Sequence, residues 1–101
     1  MLRELYAEME TQGVRCIVFY GAGDLAEIAY LSLQQSCIEL EAVVDDSKVG
    51  SNLMQITVAH PDRVEYLKFD RILITSLDSK ESIFAKIATM GISPSRVVEI
   101  G

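Results

Sequence analysis

Apolar residues Leu2, Leu5, Tyr6 and Met9 recur at three- and four-residue steps among Arg3, Glu4, Glu8 and Glu10. That spacing predicts a short amphipathic helix closing near Gly13. Residues 14–20, Val-Arg-Cys-Ile-Val-Phe-Tyr, are an apolar run stopped by Gly21, the pattern of a strand buried on both faces. A helix over 24–35 follows, carrying Leu25, Ile28, Ala29, Leu31 and Leu33. Residues 40–44 read as a second strand closed by Asp45-Asp46, residues 47–52 as a polar loop, and Ile56-Thr57-Val58 as a short third strand.

Pro61 suits the first position of a brief helix continuing through 63–68, because its missing N–H is not needed there. A fourth strand is expected over 71–75. Asp78 or Ser79 is placed to cap a helix over 80–90, in which Ile83, Phe84, Ile87 and Met90 share a face and after which Gly91 ends the element. A turn around Pro94 leads to a fifth strand over 97–100. Strands alternating with helices at this spacing predict an α/β, doubly wound, three-layer Rossmann-like domain over 14–101, with a mainly parallel five-stranded sheet in the order 3-2-1-4-5. Residues 1–13 form a helix that such a sheet does not require, read as a linker or a dimer contact. A chain that starts in this helix and stops directly after a strand is expected to be one domain of a longer protein.

Composition narrows the function. The 101 residues are half hydrophobic and carry 9 basic against 15 acidic side chains, a net charge of −6. No basic cluster offsets it, which disfavours nucleic acid and anionic membranes as direct partners. No apolar run approaches a membrane span, and the acidic N-terminus lacks a secretory signal, so a soluble intracellular protein is expected. Cys16 and Cys37, with one histidine and no Cys-x-x-Cys, support neither a disulfide framework nor a zinc site.

The informative constellation is Gly21-Ala22-Gly23-Asp24-Leu25-Ala26, a Gly-x-Gly-x-x-Ala motif lying between a buried strand and a helix. Gly21 permits the tight turn, Gly23 lets phosphates approach the backbone, and Ala26 lets the helix lie close to the sheet. Asp45 stands 22 residues beyond Gly23 at the end of strand two, where an acidic side chain binds a ribose diol. The same turn also serves merely to join strand to helix, and a vestigial motif stays open. Asp24 and Glu27 form an Asp-x-x-Glu pair resembling a capping box, whose carboxylates would compete with a phosphate for the helix N-terminus.

Residues at the carboxyl ends of strands should line the same crevice: Tyr20, Asp45, Asp46, Thr75 and Ser76. Tyr20 either stacks on a base or finishes the core. Thr75 and Ser76 either contact ligand hydroxyls or organise the turn before the next helix. Lys48, in a polar loop, reads as a solvated lysine rather than a phosphate contact, and His60 as a turn residue. There is no Tyr-x-x-x-Lys pair, Gly-x-Ser-x-Gly elbow or Gly-Lys-Ser/Thr loop, so no catalytic residue is assigned.

The runs at 16–23, 42–50 (Ala-Val-Val-Asp-Asp-Ser-Lys-Val-Gly) and 72–76 (Ile-Leu-Ile-Thr-Ser) resemble a recurring Rossmann-like ligand-binding domain across nearly the whole chain. Similar domains open sugar acyltransferases and nucleotide-sugar 4,6-dehydratases. Residues 21–30, Gly-Ala-Gly-Asp-Leu-Ala-Glu-Ile-Ala-Tyr, are most similar to the domain behind the winged helix of some bacterial transcriptional regulators. The resemblance implies a bacterial cytoplasmic module that binds NAD(H), a nucleotide sugar or a related nucleotide and signals to an attached domain. It carries over Gly21, Gly23, Asp45 and Asp46 by position. A nucleotide-binding fragment of a sugar-modifying enzyme, and an interaction domain with a vestigial glycine motif, are the alternatives.

Overall fold

The structure is a computed structural model that describes residues 2–76 and 80–100. Helix α1 (Leu2–Thr11) leads into strand β1 (Cys16–Tyr20), then α2 (Asp24–Leu33) and β2 (Glu39–Val44). After a hairpin of β3 (Asn52–Leu53) and β4 (Ile56–Thr57) and a 3-10 turn (Pro61–Tyr66) come β5 (Arg71–Ile74), α3 (Lys80–Thr89), a second 3-10 turn (Pro94–Arg96) and β6 (Val97–Glu99). The candidate caps Asp78 and Ser79 lie outside the described residues. No helix among the described residues is long and apolar enough to cross a membrane.

The main sheet is parallel, in the order β2-β1-β5-β6. This is the expected doubly wound arrangement, with four strands in place of five. Residues 56–57 turn back on Asn52–Leu53 as an antiparallel pair, and the expected outer strand is reduced to one parallel bridge between Val44 and Ala59. Ala59 donates to Val43 O at 2.9 Å and Asp45 donates to Ala59 O at 3.1 Å. Position three of the order 3-2-1-4-5 is therefore held by a single residue. The short hairpin intervenes because Val58 N–H bonds Ser51 O, at 2.8 Å, rather than the edge of β2.

Strand alternation divides the core between two faces. Ile17, Phe19, Val43 and Leu73 point to one side, where Ala26, Ala29 and Leu33 of α2 meet Tyr6 and Met9 of α1. Val18, Tyr20, Val44, Ile72 and Ile74 point to the other, against Val64, Ile83 and Ile87. Helix α1 thus packs into the core rather than standing off it, and its buried Tyr6 hydroxyl donates to Ala29 O at 2.7 Å. At the opposite end of the strands from the glycine turn, Asp70 ties β1 down by accepting the amides of Arg15 (2.8 Å) and Cys16 (3.1 Å). Cys16 is half-buried rather than enclosed.

The β3–β4 turn places Met54 at φ +49 and Gln55 at φ +73. A two-residue hairpin matched to strand twist needs positive φ at both centres, a conformation that favours Asn-Gly and penalises side chains such as these. Replacing the pair by Met54→Asn and Gln55→Gly should therefore raise the unfolding free energy by about 1 kcal/mol, read as a higher urea midpoint at unchanged slope.

Candidate functional site

The carboxyl ends of β1 and β5 face each other where the chain reverses its direction of travel across the sheet, and the segments after these strands meet at Gly21. Its amide donates to Val44 O at 2.8 Å, and its carbonyl accepts the hydroxyl of the fully buried Thr75 at 2.7 Å. The Thr75 amide in turn donates to Tyr20 O at 3.0 Å. Gly21 has φ +125, and a Cβ there would lie 2.6 Å from the Ser76 amide nitrogen. The fold itself demands glycine here. The Thr75 hydroxyl thus ties the segment after β5 to the glycine turn after β1.

Gly23 is different. It is the N-cap of α2, with φ −94 and ψ −159 and no side-chain cap bond. The expected Asp24–Glu27 capping box therefore does not form: the helix starts one residue too early for Asp24 to be the cap, and Asp24 lies exposed in the first turn. Any residue could adopt the backbone of Gly23, and the nearest atom to an added Cβ is Lys48 Nζ at 3.5 Å. Serine, threonine, asparagine or aspartate would cap the helix better. The bare position leaves the backbone open to the crevice.

Asp45 joins the two loops. Its Oδ2 accepts the Ala22 amide at 2.9 Å, and its Oδ1 accepts both the amide and the hydroxyl of Ser47, each at 2.9 Å. Partial burial pushes its carboxyl up, but the Ser47 and Ala22 bonds and the charge of Lys48 outweigh this and hold it below the usual carboxylate range. Asp46 is likewise held low, chiefly by its hydrogen bond from Lys86 on α3. Its Oδ1 accepts the Tyr20 hydroxyl at 2.9 Å. Burial, then the bond to Asp46, raises Tyr20 well above the ordinary phenol range.

Two adjoining cavities result, sharing Asp45, Ser47 and Ser76 in their walls. One, of about 280 Å³, is closed by Tyr20, Ile83 and Lys86; the other, of about 360 Å³, by residues 22–25 and Lys48. Every residue expected at the site lines one or both. Ser47, Ser82, Ile83 and Lys86 were not expected. Ser82 and Lys86 stand four apart beside Ile83, which puts them on one helix face, but only the sheet order shows that this face borders the crevice. Among the described residues no three His, Cys, Asp or Glu side chains converge as metal ligands, and the His60 imidazole accepts the Asp62 amide at 3.1 Å, capping the first 3-10 turn.

Parallel order, glycine turn and crevice together define a Rossmann-like α/β domain. The chain belongs to the C2185-like family, whose N-terminal domain model matches residues 13–98. Among solved structures, a UDP-D-quinovosamine 4-dehydrogenase from Vibrio fischeri superposes with a TM-score of 0.69 at 22% identity, covering 86% of this chain and 78% of that one. RSP, a Rex-family repressor, in complex with β-NAD+ and operator DNA gives 0.64 at 20% identity over 96% of this chain. Its complex with β-NADH gives 0.64 at 18% identity over 97%. The chain spans only 56% and 61% of those two repressor chains. A search of curated protein sequences found no match.

Gly21→Ala should cost about 2–3 kcal/mol or prevent folding, because the overlap is with backbone. Gly23→Ser should leave stability within about 0.5 kcal/mol, since it adds a cap where a Cβ makes only ordinary contact with the end of the Lys48 side chain. Denaturation of the two variants side by side checks the contrast. Asp45, Asp46 and Asp70 all have folded-state carboxyls held below their usual range. The unfolded chain thus takes up protons first, and the stability they contribute is complete above the ordinary carboxylate range and lost as pH falls through the folded values. Asp45→Asn should flatten the acid limb of a stability–pH curve and leave the neutral limb parallel to the parent's.

Proposed function

We propose that this domain binds a nucleotide-type small molecule across the two cavities, with its phosphates over residues 21–23 and the N-terminus of α2. The observation that carries the reading is Gly23 together with Lys48. The fold does not require glycine at 23, yet the position is bare, and a lysine with no carboxylate within ion-pair distance among the described residues lies beside it. A cation at the positive end of a helix is unfavourable by itself; an anion between them reconciles both. Helix N-termini and glycine amides are ready anion sites.

In this reading Asp45 serves the ribose while keeping its bond to Ala22. Oδ2 accepts one hydrogen bond where Oδ1 accepts two, so Oδ2 has capacity left for a hydroxyl. The ligand in this reading is NAD(H), a nucleotide sugar or a related nucleotide. The repressor bound to β-NAD+ and operator DNA supports a sensing role in which an attached domain, such as a winged helix, reads the occupied state. The dehydrogenase likeness supports the alternative of a nucleotide-binding portion of a sugar-modifying enzyme. For the sensing role we place the protein in the cytoplasm.

Thermal-shift titration with NAD+, NADH, UDP-sugars and coenzyme A should show a concentration-dependent rise for at least one, since preferential binding to the folded state stabilises it. Gly23→Val should abolish the rise. Lys48→Ala should weaken binding roughly tenfold and reduce its salt dependence. Absence of any shift at millimolar ligand, with the protein folded, would reject the reading in favour of an interaction domain with a vestigial motif.

A further inference from the structure

A further cavity, of about 350 Å³, opens at the amino ends of the strands, walled by Leu67 and Phe69 with Cys16, Lys68, Asp70 and Arg96 around it. Arg96 is fixed in place there. Its guanidinium stacks 4.4 Å from the centre of the Phe69 ring and donates from Nε to Asp70 O at 3.4 Å and from Nη2 to Phe69 O. Two of its five N–H donors are used in this way, and Nη1 has no partner among the described residues. Lys68 is exposed and, like Arg96, has no carboxylate within ion-pair distance among the described residues. Asp70, the carboxylate lining the cavity, is engaged by the amides of Arg15 and Cys16. Arg15 and Arg71 adjoin it, so four of the nine basic residues of a chain with net charge −6 gather at this end. Glu39 and Glu41 stand on the opposite side, next to Cys16. Burial, then Glu41, pushes the Cys16 thiol up to about 11, which keeps that wall neutral.

We propose that this cavity docks an acidic segment of a partner protein, which lays an apolar side chain against Phe69 and Leu67 and sets carboxylates on Arg96 and Lys68. The site lies at the far end of the strands from the glycine turn and is independent of the nucleotide reading. A guanidinium held by ring stacking and carbonyl bonds offers its remaining donors to a carboxylate with little side-chain freedom left to lose. Aromatic residues and arginine are the side chains enriched at protein interfaces, and Tyr66, next in sequence to the cavity wall, is 80% exposed. The cations extend past the cavity to Arg15 and Arg71, beyond what one carboxylate can engage, which fits a segment carrying several acids rather than a small monoanion. A nucleic acid would bring a phosphate at every residue against a chain of net charge −6, and a second copy would bring that whole charge again. A short segment needs carboxylates only where the cations stand.

The test follows the amide resonances of the full chain during titration with the peptide acetyl-Glu-Asp-Phe-Glu-Leu-Glu-amide, with its Gln and Asn counterpart, and with a short dT oligonucleotide. The acidic peptide should move the resonances of residues 66–71 and 94–97, leave those of 21–23 in place, and bind more weakly as salt rises. Lys68→Glu, at an exposed position, should weaken it roughly tenfold, and Arg96→Gln at least as much. Lys80→Glu makes the same charge change at the start of α3, beyond the carboxyl end of β5, and should alter affinity by less than about twofold. Thermal transitions check that each variant folds. No movement at residues 66–71 under millimolar acidic peptide would overturn the proposal. So would equal losses from Lys68→Glu and Lys80→Glu, or equal binding of the uncharged peptide. Tighter binding of the oligonucleotide at the same residues would replace the protein segment by nucleic acid, and shifts there on concentrating the chain alone would replace it by a second copy.

Discussion

The structure depends on the contact at Gly21, where the ends of three strands are drawn together. Its amide holds β2 through Val44, its carbonyl holds the segment after β5 through Thr75, and the Thr75 amide returns to the end of β1. The Ser76 amide would stand 2.6 Å from any Cβ at that position, so the two loops can approach only because the residue is glycine. That approach fixes where Ser76 lies, and therefore where the wall between the two cavities falls. It also buries Thr75 without leaving its hydroxyl unpaired, a condition a tight strand-end junction must meet.

The two glycines of the motif thus have separate causes. Gly21 is explained by packing within the chain, which any vestigial copy of the fold would also need. Gly23 has ordinary dihedrals, only the flexible Lys48 Nζ in ordinary contact distance of an added Cβ, and a cap bond forgone, so internal packing does not demand it. A motif match treats the glycines as one signal; the structure separates a residue that the fold requires from one that the fold merely tolerates. Only the second points to a ligand.

Strands with strong apolar runs were legible because burial on both faces leaves no alternation to misread: residues 14–20 and 71–75 yield β1 and β5 with trimmed ends. The third strand was misplaced for a local reason. Ile56-Thr57 has the composition of a buried strand, but of its partner Asn52-Leu53 the first residue ends the polar loop over 47–52 and the second falls in no predicted element, and Met54-Gln55 carries none of the Asn or Gly that announces a two-residue turn. The capping box failed by one position, since Asp-x-x-Glu is indistinguishable by spacing from the first turn of a helix capped by the preceding glycine. At the site, Tyr20, Asp45 and Asp46 followed from their places at strand ends. Lys86 did not, because its partner Asp46 is 40 residues away and only the crossing order of β1 and β5 brings α3 over it.

The acidic balance of the chain bears on which phosphates the crevice would accept. A net charge of −6 and the three carboxylates of Asp24, Asp45 and Asp46 oppose any anion at long range, and salt screens this opposition beyond about 8–10 Å. Attraction therefore has to be local, from the N-terminus of α2 and from Lys48. Asp45 takes the amide of Ala22, which leaves fewer backbone donors than a phosphate-gripping loop usually offers. One lysine and a few amides suit bridging phosphates, whose charge is spread along a diester, better than a terminal triphosphate with its greater charge and hydration. On that physical ground the proposed site is matched to ligands whose phosphates lie between two larger groups, the arrangement that dinucleotides and nucleotide sugars share.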